Sequence, residues 1–548
     1  MKTIVFIGTQ KSGSSREAIK AADRLGYYTV LLTDRANFVE KRSSFPDVHL
    51  MQLCNLNNID ETKEIIVQLQ FKGLDIMSII GFTDPHCYTA CLLCEEFGLN
   101  CFSTKAIGNM LNKIDSRKIL SNSSYIPYFD VFSNDTEIQK IEIEEHLPII
   151  IKSPNSTGSK DVFKITTFNE FLYHTKKLLE KYPSEPILIE EFLDGPQYLV
   201  ETIVYENRIH IIAVFKQEIT FTGRFIITGY NLMLDLSEAF FSKLSNAVDD
   251  IIKAHGMDFG SCHLEMRYVK NRWKLVEINP RISGGAMNEI IEIALGINLV
   301  KETLKMSLGE TPILEPKYKN YTFTQYIIVS STGVLEKVTG RIKASKCDGV
   351  KSVFIKPKKG SVLTPPLSMG NRYAYVIAVG DTEIKARDNA KYAASLINFS
   401  LKPLLQKQPQ ETIENTVSLD FDNSDICLGG FRKYLIKQKK SISAIKKDIA
   451  NINIYLKWYK TSFHKECISL EREKFLQYKH ALKDILVLSP KTINSKFCSL
   501  ERFNRYLIEE SIQEQMVVSK QDLLKAANKK SKNSQSTTSD IVNSVECK

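Results

Sequence analysis

His263-Leu-Glu265-Met-Arg-Tyr-Val269-Lys270-Asn271-Arg-Trp273-Lys-Leu-Val-Glu277-Ile278-Asn279-Pro-Arg281 reads as two strands, Leu264 to Val269 and Trp273 to Ile278, turned at Lys270-Asn271. Successive side chains of a strand point to opposite faces, so Glu265, Glu277 and Asn279 fall on one face of this hairpin. Their hard oxygens suit Mg2+ held together with phosphate groups, and Arg281 follows as a cation beside them. Two acidic residues on a hairpin are more often a solvated face. The string Glu277-Ile-Asn279-Pro-Arg281 is far more restrictive, because it places carboxylate, amide and guanidinium within one short run.

Toward the N-terminus, Lys2 to Gly8 is β-branched and aromatic, a Ser/Gly loop follows, and Glu17 to Leu25 has helical spacing before Gly26. The runs Tyr28 to Thr33 and Ile76 to Ile80 continue the alternation, which predicts a parallel sheet with crossover helices. The loop after Gly8 lacks the dinucleotide fingerprint and is better explained as a tight turn. Lys113 to Leu120 reads as a helix, and Pro148-Ile-Ile-Ile-Lys152 as a strand entering the loop Ser153-Pro-Asn-Ser156-Thr-Gly158-Ser159-Lys160. A lysine leaving a strand before small residues can hold phosphate as a point charge while backbone N–H groups approach the oxygens. Ile187 to Glu191 and Tyr198 to Tyr205 are further strands, with Glu190-Glu191-Phe-Leu193 entering a hinge that ends at Gln197. Thr222 to Tyr230 reads as a glycine loop, Tyr326 to Val379 as strand-rich, and Thr382 to Ile397 as a helix.

The 548 residues predict several domains, and no apolar run is long enough to span a bilayer. Eleven scattered cysteines argue for reduced thiols, and the chain reads as soluble and cytoplasmic, with no membrane partner. Charge is uneven. From Cys427 to the end there are 24 Lys+Arg against 12 Asp+Glu, whereas the rest has 49 against 51. All the excess positive charge therefore sits in an appended module suited to an acidic partner. Gln406 to Asp425 is a polar linker, Phe431 to about Lys529 is helical throughout, and Lys530 to Lys548 has the composition of a disordered tail.

From the N-terminal alternation to the end of the glycine-punctuated region, roughly residues 1 to 405, the chain resembles the ATP-grasp superfamily, and within it the carboxylate-amine ligases related to L-amino-acid ligases. The resemblance implies an α/β multidomain fold: a Rossmann-like domain at 1–108, an ATP-grasp α+β domain at 109–312 and a small α+β lid at 316–404. It implies ATP with Mg2+, or Mn2+ in its place, as cofactors. Lys113 and Lys152 then contact phosphates, and Ser156, Gly158, Ser159 and Lys160 form the covering loop. Glu190, Glu191 and Leu193 border the adenine, Gln197 meets the ribose, and Glu265, Glu277 and Asn279 bind the metal. Arg281, with Lys152, serves phosphoryl transfer, and Gly284 and Gly285 meet a substrate carboxylate. The implied reaction joins small-molecule carboxylate and amine substrates of the amino-acid kind through an acyl-phosphate, in a chain free to form a homo-oligomer. Family loops commonly carry Gly where this chain has Asp161, and an acidic hinge residue where it has Gln197.

The segment 427–527 has its own resemblance, on Phe431-Arg-Lys-Tyr-Leu-Ile, Ile445 to Trp458 and Ser489-Pro-Lys491-Thr-Ile-Asn through Tyr506, to the helical core-binding domain of tyrosine recombinases. This implies contacts from Lys491, Lys496, Arg502 and Arg505 to duplex DNA. No recombinase activity is expected, because no catalytic set follows. Two further readings stay open: a DNA-binding protein with a nucleotide-sensing ATP-grasp body, and a biotin-carboxylase-like carboxylating enzyme.

Overall fold

Strands Lys2–Ile7, Tyr28–Thr33, Leu50–Leu53 and Asp75–Ile80 pair in parallel, in the spatial order third, second, first, fourth. A parallel pair needs a crossover, and helices Ser14–Arg24 and Ile59–Phe71 supply two of them. Both faces are thereby covered, which is why Ile4, Val5, Phe6 and Ile7 are all buried without alternation. The computed structural model describes residues 1–84, 86–132, 143–154, 158, 160–221, 224–403, 426–438, 440–463, 469–485 and 490–524.

A second sheet is antiparallel, in the order Phe129–Phe132, Ile187–Glu191, Ile149–Lys152, Val162–Ile165, with helix Phe168–Lys181 packed on it. The largest has eight antiparallel strands: Arg272–Asn279, Gly260–Val269, Gln197–Tyr205, Arg208–Phe221, Phe225–Leu232, Tyr321–Ile327, Ala374–Gly380 and Val350–Ile355. One face buries Val200, Leu264, Met266 and Ile278 against helix Glu238–His255. The opposite face carries the polar residues of the hairpin.

The hairpin turns as the sequence indicates, with Lys270 and Asn271 both at positive φ, the pattern of a turn whose twist matches the strands it joins. The supposed glycine loop from Thr222 to Tyr230 is a correction: Phe225–Leu232 is a strand. Gly229 is there for close approach, since a Cβ on it would lie 2.8 Å from the Phe323 ring.

The chain divides into two compact units, Met1–Lys407 and Gln408–Lys548. In the second, the described residues form helices Ile426–Lys437, Ile442–Phe463, Arg472–His480 and Pro490–Glu509 around Phe431, Tyr455, Phe475, Phe497 and Leu507. The expectation of helix up to Lys529 is corrected. After Glu509 the chain turns at Ser511, at φ 58°, and the Asn504 carboxamide accepts the backbone N–H groups of Val517 and Val518. Among the described residues no helix is long and apolar enough to cross a membrane.

Candidate active site

Glu265 and Glu277 are direct cross-strand partners. Burial and the facing Glu277 push the Glu265 carboxyl up to about 7. Burial would raise Glu277 too, but Lys113 and Lys152 hold it below the ordinary carboxylate range. The Lys113 ammonium lies 3.0 Å from Glu277 Oε1 and donates to Pro154 O at 3.2 Å. Helix Lys113–Ile119 aims it there, and Asn112 caps that helix by accepting the N–H groups of Ile114 and Asp115.

Asn279 is oriented by its neighbours. His263 Nδ1 lies 2.7 Å from the Arg281 carbonyl, which can only accept, so that nitrogen carries the proton. Nε2 then accepts from Asn279 Nδ2 at 3.2 Å, leaving the amide oxygen of Asn279 available. Burial and the nearby Arg281 depress His263 to about 4, consistent with this neutral ring. Two facing carboxylates and the amide oxygen of Asn279 offer the hard oxygen donors that a divalent cation takes. Among the described residues there is no group of three or more His, Cys, Asp or Glu that could hold one, so the amide is needed to complete the set.

Lys152 and Arg117 converge on the two oxygens of Glu190, with Arg117 Nε donating to Oε1 at 2.6 Å and Lys152 paired with Oε2. All three side chains are buried. Burial lowers Lys152 below the ordinary lysine range, with Arg117 and Lys113 adding to the effect against Glu190. Arg117 was missed in the sequence. It lies four residues after Lys113, hence on the same helix face, and that spacing was the available signal. Gln197 does not carry an unmet charge; its amide donates to Glu265 Oε2 at 3.1 Å and accepts from Arg267 Nε at 3.0 Å. Arg267 also donates to Leu193 O at 2.6 Å, fixing the hinge. The Asp161 carboxylate is engaged by its neighbours, because Lys181 and Tyr182 both donate to it.

Glu190, Glu191, Leu193 and Gln197 line, with Lys113, Lys152, Gly158, Glu265 and Glu277, a slot of about 110 Å3. Glu191 Oε2 accepts from the Tyr128 N–H. Lys160 is exposed, while Ser156 and Ser159 lie outside the described residues. Gly158 also borders a much larger cavity of about 1240 Å3, which Arg281, Gly284 and Gly285 line. Arg281 donates through Nε to Asp84 Oδ1 at 3.0 Å, and burial notwithstanding, this guanidinium holds the Asp84 carboxyl low. Asp84 was also missed, although it lies just beyond the carboxyl end of a parallel strand, where open α/β sheets bind ligands. Glu201 is fully buried and accepts the Ser283 N–H at 3.1 Å; burial pushes it up to about 7.

In the second unit, the Arg502 guanidinium is committed to the buried Asp448 carboxylate, with Nε donating to Oδ2 at 2.7 Å, and Arg505 pairs with Glu501 on its own helix at 2.9 Å. Lys496 is half-buried, which lowers its pKa, and Lys491 lies in the first turn of Pro490–Glu509. Arg505 is exposed, as are Arg432, Lys433, Lys446 and Lys447.

Residues 145–289 match the ATP-grasp domain family. Residues 325–402 match the L-amino acid ligase C-terminal domain 2. The first unit is thus an α/β ATP-grasp fold, and its closing segment is of the kind found in L-amino acid ligases. The L-amino acid ligase structure from Bacillus licheniformis superposes with a TM-score of 0.63 at 18% identity, covering 73% of this chain and 99% of that one. Dapdiamide A synthase of Enterobacter agglomerans is 22% identical over 247 residues, 43% of this chain and 58% of that protein. A TnP I resolvase of Bacillus thuringiensis is 33% identical over 95 residues, 17% of this chain and 34% of the resolvase.

Proposed function

We propose that this chain is an ATP- and Mg2+-dependent ligase that forms an amide bond between a carboxylate and an amine through an acyl-phosphate. One observation carries the reading: a slot built of Lys113, Lys152 and the Glu265–Glu277 pair meets, at Gly158, a large cavity bordered by Arg281. With domain limits of 1–108, 109–312 and 316–404, the slot and its covering loop both belong to the middle domain. The family match over residues 325–402 and the similarity to dapdiamide A synthase favour amide formation over carboxylation.

Lys113 and Lys152 hold phosphate oxygens, and the covering loop with Ser156, Ser159 and Lys160 closes over them. Glu265, Glu277 and Asn279 hold Mg2+, which supplies neutralisation of the phosphate charge when bound. A substrate carboxylate oxygen attacks the γ-phosphorus, and the bond from that phosphorus to ADP breaks. The amine nitrogen then attacks the acyl carbon, phosphate leaves with the carbon–oxygen bond electrons, and the nitrogen sheds its proton to solvent. Arg281, braced by Asp84, steadies the charge on the moving phosphoryl group, while Gly284 and Gly285 offer backbone N–H groups to the substrate. No side-chain nucleophile is required.

The test is incubation with ATP, Mg2+ and an amino-acid mixture. ADP release with a product mass equal to two substrates less one water supports the ligase. ADP release that needs bicarbonate and no amine replaces it with the carboxylating reading. Residues 427–527, within the second unit, are proposed to meet duplex DNA, on the chain's similarity to the resolvase and the segment's excess positive charge. Arg432, Lys433, Lys446, Lys447 and Arg505 are exposed for this, with Lys491 and Lys496 adding to them, whereas Arg502 is committed to Asp448. A fluorescence titration of the full chain with duplex DNA at low salt should give micromolar or tighter binding that weakens as salt rises. No binding even at low salt rejects it.

A further inference from the structure

Seven Lys and Arg side chains line the large cavity against three carboxylates. The chain before Cys427 has 49 Lys+Arg against 51 Asp+Glu, so positive charge is concentrated here. The carboxylates are engaged within the wall. Asp84 accepts from Arg281, Glu289 accepts from the Tyr375 hydroxyl at 2.7 Å, and burial raises Glu17 above the ordinary carboxylate range, with Asn288 and Lys20 acting against it. Arg16 is committed to Asp47. Among the described residues, Lys11, Arg35, Lys356 and Arg372 make no ion pair with a carboxylate within 4.0 Å.

These four come from two parts of the fold. Lys11 and Arg35 leave the loops beyond the carboxyl ends of the parallel strands Lys2–Ile7 and Tyr28–Thr33, where open α/β sheets bind ligands. They share the buried Phe38 ring, with Lys11 Nζ 6.0 Å and the Arg35 guanidinium 5.2 Å from its centroid. Lys356, just after strand Val350–Ile355, donates to Gly370 O at 2.7 Å, and Arg372 lies 3.9 Å over Tyr326. The acceptors they meet are neutral, the Gln10 amide for Arg35 and carbonyls for Lys356 and Arg372, so none of these bonds cancels a charge. Burial and the nearby Arg372 hold Lys356 below the ordinary lysine range, as like charges do where no anion stands between them.

A cleft lined by one sign of charge draws in the other. At about 1240 Å3 it also exceeds the about 300–1,000 Å3 of ordinary small-molecule pockets, so it has room for more than one small substrate. With the acyl carboxylate at Gly284 and Gly285 beside Arg281, the walls around Lys11, Arg35 and Lys356 are left to the second substrate. We infer that the amine substrate is a polyanion, and that Lys11, Arg35 and Lys356 bind phosphate or carboxylate groups that it carries away from the reacting nitrogen. This rests on the ligase reading above. A single carboxylate would leave most of these cations unmatched, whereas a phosphate ester or a dicarboxylate meets them. The same positive surroundings disfavour an ammonium ion, so the nitrogen is held neutral with the lone pair that attacks the acyl carbon. Phosphate then leaves with the carbon–oxygen bond electrons, and the nitrogen sheds its proton to solvent.

Calorimetry on the full-length protein, with ATP and Mg2+ present, compares charged amines with matched amines of lower charge: O-phosphoserine with serine, phosphoethanolamine with ethanolamine, and glutamate with glutamine. At least one charged member should bind ten-fold or more tighter than its match, by a gap that narrows as salt rises. The phosphate pairs and the dicarboxylate pair separate the two kinds of anion. The gap should collapse in the double variant Lys11→Gln with Arg35→Gln and shrink in Lys356→Gln, with circular dichroism confirming that both proteins are folded. Equal affinity within every pair, or a gap that persists in both variants, overturns the inference. Discrimination without ADP release from the amino-acid mixture overturns the ligase reading and leaves the anion site standing; amide formation without discrimination does the reverse.

Discussion

Glu190 receives Arg117 and Lys152 on its two oxygens in a region almost without solvent. Removing that charge leaves two buried cations unpaired, so Glu190→Ala is expected to lower stability by about 3–5 kcal/mol in urea unfolding. Glu277 is different, being partly open to solvent and paired with Lys113 on one side. Glu277→Gln should cut ADP release to below a hundredth of wild type with the melting midpoint little changed; undiminished turnover would refute its role. Glu201 sets a pH dependence. Its ordinary carboxyl value is 4.5 and the folded one about 7, so between those limits the folded chain keeps a proton that the unfolded chain has lost. Stability from this group is present at low pH and falls as pH rises through that window, by about 3 kcal/mol in all. Glu201→Gln mimics the protonated form and should flatten this part of the profile, measured as urea midpoints from pH 5 to pH 8.

Helix Lys113–Ile119 shows how an element transmits a local choice to the site. Asn112 satisfies two of its first N–H groups, and the same cap fixes the direction in which Lys113 leaves the backbone. Asn112→Ala is expected to cost about 1 kcal/mol and to raise the KM for ATP several-fold, read by melting and by ADP release across ATP concentrations. The hairpin Gly260–Val269 with Arg272–Asn279 was legible because alternation and a two-residue turn are local signals. Strand Phe225–Leu232 was not, since Gly229 mimics a loop until Phe323 is known to press on it. For the same reason the end of the last long helix was misplaced: the Asn504 carboxamide that holds the departing chain at Val517 and Val518 is thirteen and fourteen residues away.

The two compact units have separate apolar cores, one around residues such as Phe6 and Phe215, the other around Phe431 and Phe475. Calorimetry should therefore resolve two unfolding transitions. Addition of ATP with Mg2+ should raise only one of them, by about 2.7 kcal/mol of added stability at a hundred times Kd. A single transition that moves as a whole would show the units to be coupled. This division also matters for the basic segment, since the residues from Cys427 onward lie in the second unit while Lys113 and Lys152 belong to the first.

The sequence by itself determined the α/β alternation, the hairpin and the grouping of Glu265, Glu277 and Asn279 on one face, because strand periodicity and a short turn encode these over neighbouring residues. It also placed Lys113 and Lys152 in the site, through the resemblance that their order along the chain carries. Only the tertiary structure decided that Asp84 braces Arg281, that Arg117 shares Glu190 with Lys152, and that Lys181 and Tyr182 both donate to Asp161. Each of these joins residues from different elements, most of them distant in the chain, and sequence spacing carries no information about contacts made when separate elements pack together.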